Sequence, residues 1–265
     1  MPSYVIVGAS RGLGYEWLNS LSKDTSNTVI GIVRSVDKVQ AKLDSDSISN
    51  VHLLAGDMTD SASLESAARQ VSKITSSIDY LIVNGAYTTL ATARFNPTEF
   101  TTRAAELRKE MIESLDVNVL GVVYSINAFI PLVRQGTAKK ITVISTGMAD
   151  TEAVLRADIN GALVYSSMKA ATNMIVAKYA VELRDEGIVV LALSPGVINT
   201  QEEAVSDEQM KGVMVLMGKL QAGFPGWTGP APAAESIAAQ KKVIEEITLE
   251  QSGAFLSHKG NKEWL

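Results

Sequence analysis

Residues 4–14 read Tyr4-Val5-Ile6-Val7-Gly8-Ala9-Ser10-Arg11-Gly12-Leu13-Gly14, and this stretch decides the fold. Four apolar residues without alternation predict a strand buried on both faces, as in a parallel sheet. Glycines at 8, 12 and 14 follow at once, and a helical pattern starts at Gly12. Glycine lets the backbone turn tightly and approach a phosphate closely, and the helix N-terminus behind it offers N–H donors and a favourable dipole. The glycine spacing, three residues and then one, differs from the GxGxxG fingerprint. A strand-to-helix turn with no ligand could carry the same glycines, so the rest of the chain has to decide.

Working outward, apolar runs at 28–33, 51–54, 80–83, 141–144 and 188–193 predict further buried strands. Helical patterns over about 62–74, 102–133 and 164–186 lie between them. This alternation predicts an α/β fold, a doubly wound, Rossmann-like parallel sheet in one domain over 1–265. The pattern breaks after Asn199. Gln201, Glu202 and Glu203 lead into a Met/Leu/Val-rich stretch and then AGFPGWTGP, so 200–231 is expected to be a lid over a core of about 3–200. A helix over 233–248 and an apolar segment at 254–256 complete the part from 232 to 265.

The 265 residues are 46% hydrophobic and 20% charged, an ordinary globular balance, and the net charge of −5 argues against nucleic acid or an anionic membrane as partner. The absence of cysteine excludes disulfides, thiolate metal sites and cysteine nucleophiles. With only His52 and His258, a histidine metal centre or a serine–histidine relay is not expected. The N-terminus reads as no signal peptide and no apolar stretch is expected to reach the length that spans a bilayer, so a soluble, cytoplasmic protein is expected.

Tyr165-Ser166-Ser167-Met168-Lys169 opens the long helix after the fifth strand, and its spacing places Tyr165 and Lys169 on one helical face. Reduction of a carbonyl leaves an alkoxide that needs a proton donor within reach. A neighbouring ammonium is expected to lower a tyrosine from its usual pKa of about 10. An amphipathic helix with a surface lysine would match the same pattern by chance.

These motifs, in this order, resemble the short-chain dehydrogenase/reductase family over residues 3 to about 200. Gly8–Gly14 resembles its TGxxxGxG loop, with Val7 where the family has Thr. Gly56-Asp57-Met58 resembles the station where an Asp holds the adenine, and Asn84-Gly85-Ala86 resembles NNAG, departing at the second Asn. Asp57 could equally neighbour a helix cap, and Asn84 could be a turn residue. Ser194-Pro195-Gly196-Val197-Ile198-Asn199-Thr200 resembles PGxxxT, where Ile198 backbone would meet the nicotinamide carboxamide and Thr200 the carboxamide or a phosphate.

The resemblance implies Tyr165 as proton donor, and Lys169 as its partner and the holder of the nicotinamide ribose. It implies a hydroxyl that orients substrate, Thr146 by direct match or else Ser145. It also implies Asn118, which would bend its helix and order a water, or would be a buried Asn satisfied by backbone. The cofactor is expected along Gly8, Ser10, Arg11, Gly12, Leu13, Gly14, Asp57, Met58, Asn84, Gly85, Tyr165, Lys169, Pro195, Gly196, Ile198 and Thr200. The second strand ends Val33-Arg34-Ser35 with no carboxylate to hold ribose hydroxyls. Arg34, with Arg11, suits a 2′-phosphate, so NADPH/NADP+ is expected rather than NAD.

Met210, Val213, Met214, Leu216, Met217, Leu220, Phe224 and Trp227 suit a bulky, mostly apolar carbonyl substrate such as a secondary metabolite, polyketide or aromatic ketone, although a helix packing on the core would use the same residues. Asp150, Glu152, Arg156 and Asp158 are candidates for its polar contacts. In many relatives the helices carrying Asn118 and Tyr165 build a homodimer or homotetramer, while some carbonyl-reducing members are monomers. Alternative readings are a pathway enzyme adapted to imine reduction or cyclisation, and a non-catalytic NADP(H) sensor or interaction protein.

Overall fold

The computed structural model describes residues 1–198 and 206–265. Seven strands form one parallel sheet, ordered β3-β2-β1-β4-β5-β6-β7: β1 (Ser3–Val7), β2 (Thr28–Val33), β3 (Val51–Ala55), β4 (Tyr80–Val83), β5 (Lys140–Ile144), β6 (Val189–Ser194) and β7 (Phe255–Ser257). Each strand feeds both faces, because successive side chains point to opposite sides. Val5 and Val7 of β1 join a core beneath α3 (Ser61–Ile74), α5 (Gly121–Val133) and α7 (Leu163–Glu182). Tyr4 and Ile6 join another beneath α1 (Gly12–Ser22), α2 (Val36–Ser45) and α9 (Ala233–Glu246). This is the doubly wound arrangement that the apolar runs predict.

Helix α4 (Ala104–Leu115) continues through a π-helical turn, Asp116–Leu120, into α5. By length and composition the run Ala104–Val133 could cross a membrane, which corrects the expectation that no stretch is long enough. Within the fold, its Val122, Ile126, Phe129 and Val133 are core residues.

A third apolar cluster sits apart from the two main ones. Leu220 of α8 (Asp207–Gly223) packs with Ala157 and Ile159, which follow α6 (Thr151–Arg156). The α8 helix starts from a capping box in which Ser206 and Gln209 bond each other's backbone. The cluster covers the ends of β5 and β6, and so positions the site.

Candidate active site

The glycine loop closes on the next crossover. Gly8 has φ +82°, and a Cβ there would collide with the backbone of Gly85; one on Gly14 would collide with the Gly8 carbonyl. Asn84 ties the two loops by donating from Nδ2 to the Gly8 oxygen at 3.1 Å, while Asn84 and Gly85 N–H groups both donate to the Val7 oxygen. Met58 packs its sulfur into the space left by Gly85, so it acts here as a filler between loops. Asp57 Oδ1 accepts from the Thr59 N–H and hydroxyl, both at 2.9 Å, and Asp60 is the residue that caps α3.

Ser10 and Arg11 are exposed at the start of α1, whose first turn carries no side-chain cap and no acidic residue. Leu13 is partly buried against the core. Arg34 is exposed directly after β2. Donor N–H groups with two nearby guanidinium-bearing residues and no carboxylate at the β2 end fit a nucleotide carrying an extra phosphate.

Tyr165 is partly buried near the start of α7, and Lys169 is fully buried one turn later. The expected mutual effect is absent. Burial pushes the phenol up to about 12, opposed by the neighbouring Thr146 side chain. Burial also lowers Lys169 to about 8, and its Nζ donates to the Ile144 oxygen at 2.7 Å. The tyrosine expected to be acidified by the lysine is instead raised, with burial as the largest cause, and the ammonium is directed to a main-chain carbonyl.

The two adjacent hydroxyls part company. Ser145 Oγ donates to Asn173 Oδ1 at 2.7 Å and is buried, whereas Thr146 lies beside the Tyr165 phenol and accepts from Met148 N–H. Asn118 sits in the π-helical turn, fully buried. Its Nδ2 donates to the Tyr87 oxygen and Ser114 Oγ, each at 2.8 Å, and its Oδ1 accepts from Tyr87 N–H. Its own carbonyl accepts from Thr172. The helix is distorted where expected, but the Asn118 side chain holds the loop after β4.

Past β6, Ser236 Oγ donates to the Pro195 oxygen, Gly196 has φ +84° and packs on His258, and Ile198 bridges to Ala231. Thr200, with Gln201, Glu202 and Glu203, lies outside the described residues.

A mostly apolar cavity of about 190 Å³ opens beside Thr146. Leu216, Met217, Leu220 and Phe224 line it as expected, while Met210 and Met214 face solvent. Sequence reasoning missed Ser194, Val197 and Trp264, which also line it. Of the polar candidates, Asp150 caps α6, Arg156 Nε donates to the Gly223 oxygen and stacks on Phe224, and Asp158 pairs with Lys219. Arg156 and Asp158 thus fasten α8 at one end. Among the described residues no group of acidic or histidine side chains could hold a metal.

The family model described as short chain dehydrogenase matches residues 3–211. The short-chain dehydrogenase/reductase AacuF of Aspergillus aculeatus is 41% identical over the whole of both chains, and iacC of Pestalotiopsis fici, with the same description, is 36% identical, also over both chains in full. Among solved structures, an NADPH-bound carbonyl reductase from chicken fatty liver aligns with TM-score 0.75 at 22% identity over 98% of each chain. Carbonyl reductase Sniffer of D. melanogaster aligns with TM-score 0.77 at 18% identity, again over 98% of each.

Proposed function

This chain belongs to the short-chain dehydrogenase family and is an oxidoreductase acting on C=O and CH–OH groups, and on that premise we propose that it is an NADPH-dependent reductase of a bulky, mostly apolar ketone or aldehyde. One observation carries the reading: Thr146 both lines the apolar cavity and lies beside the Tyr165 phenol. A carbonyl oxygen placed at Thr146 is then next to a proton donor, while the rest of the molecule meets Leu216, Met217 and Phe224.

When bound, the cofactor supplies hydride. The chain's own groups handle the oxygen and the proton. The Thr146 hydroxyl holds the oxygen, and Tyr165, protonated through neutral pH, gives its proton as negative charge develops there. Lys169 braces the end of β5 through the Ile144 carbonyl. Arg34 and Arg11 would hold the 2′-phosphate, and the α1 N-terminus would hold the remaining phosphates. The NADPH bound to the chicken carbonyl reductase supports the same choice of nucleotide.

The test is loss of NADPH absorbance with a panel of aromatic and aliphatic ketones, alongside NADPH binding followed by protein fluorescence. Turnover of apolar ketones is the expected result. Binding of NADPH with no turnover of any carbonyl would overturn the proposed reduction of apolar ketones.

A further inference from the structure

Past β7 the chain folds back and brings Trp264 against the loop that follows β5. The indole is buried and stacks on Phe255, with centroids 4.3 Å apart and planes 29° apart. Its Cβ would lie only 2.9 Å from a Cβ built on Gly147. Gly147 directly follows Thr146, and its N–H donates to Ser194 Oγ at 2.9 Å. A bare residue at 147 is therefore what lets the indole come this close to the hydroxyl that faces substrate. Trp264 and Thr146 line the same cavity.

We propose that Trp264 is a specificity-determining residue, the fixed wall that limits the size of the group attached to the substrate's carbonyl carbon. This rests on the reductase reading of the cavity given above. The contrast between its walls carries the inference. Leu216, Met217 and Leu220 come from one helix, and unbranched or flexible side chains such as Met reshape easily around a ligand. Trp264 is a large planar group with few rotamers, held by a stacked ring on one side and a glycine on the other. A wall that yields tolerates many sizes, whereas a rigid one rejects those that overlap it.

The test uses protein loaded with NADP+, which binds ketones without turning them over. Affinities for acetophenone and 2-acetylnaphthalene are measured by titration calorimetry for wild type, Trp264→Ala and Trp264→Leu, with the thermal midpoint recorded for each. The naphthyl-to-phenyl affinity ratio is expected to rise about tenfold in Trp264→Ala and partway in Trp264→Leu, with NADP+ affinity unchanged. An unchanged ratio in either folded variant overturns the proposal, as does failure of both ketones to bind wild type. The reductase reading falls on a different result, the absence of NADPH oxidation with any carbonyl.

Discussion

Lys169 reaches across from α7 to the last carbonyl of β5, its Nζ 2.7 Å from the Ile144 oxygen, and it does so fully buried. Its value falls from 10.5 to about 8 through burial, so between those pH values the unfolded chain holds the proton that the folded chain has released. Stability of the unliganded protein therefore carries its full penalty below pH 8, on the order of 3 kcal/mol, and recovers as pH rises toward 10.5. Tyr165 works in the opposite sense higher up: raised from 10.0 to about 12, it makes stability fall across that window. Urea unfolding of wild type and Lys169→Met should show the gap moving in favour of wild type between pH 7.5 and 10. A constant gap would mean that the amine is not desolvated.

Tyr165→Phe removes the proposed proton donor and leaves the ring in place. Turnover should drop at least about a hundredfold, the usual scale of general-acid catalysis, with NADPH affinity nearly intact. Steady-state kinetics and fluorescence titration measure the two separately, and unchanged rates would remove Tyr165 from the reaction.

Thr146 and Ser145 are adjacent and separable. Thr146→Val should lower kcat by about tenfold or more, with Thr146→Ser restoring most of it, because the hydroxyl beside the phenol is the one facing the cavity. Ser145→Ala should leave kcat near wild type and lower stability by about 1 kcal/mol, since Asn173 Oδ1 loses its donor in a partly buried position. The reverse pattern would exchange their roles.

Arg34→Ala should weaken NADPH by at least about tenfold and NADH hardly at all, the loss of one charge-assisted contact. Equal effects on both nucleotides, read by fluorescence titration, would place the 2′-phosphate elsewhere.

The strands were legible because a sheet covered on both faces demands unbroken apolar runs, and those at 4–7, 28–33 and 80–83 lie within a residue of the observed strands. Helix α2 places Val36, Val39 and Leu43 at helical spacing but runs for only 10 residues, and α6 for 6, so each is shorter than the stretch of roughly 11–18 residues over which a period stands out. The i, i+4 spacing places Tyr165 and Lys169 on one face, yet spacing is blind to the Ile144 carbonyl that takes the ammonium. Which of two neighbouring hydroxyls turns toward Tyr165 depends on the pleat at the end of β5, and a sequence does not reveal its phase. Trp264 is invisible for another reason: it reaches the cavity by a turn that leaves no periodic trace, and only the bare Gly147 more than a hundred positions earlier makes room for it.

Helix α8 is fastened to the body by charged side chains that water reaches: Arg94 to Glu208 at its start, and Lys219 to Asp158 near its end. Such contacts weaken as counter-ions crowd around them, because at 1 M salt the screening length shrinks to about 3 Å. The grip on the helix that roofs the cavity is therefore tuned by the electrolyte while the aliphatic floor below is not. The Michaelis constant for an uncharged ketone should climb with added sodium chloride even though the ketone itself carries nothing to screen.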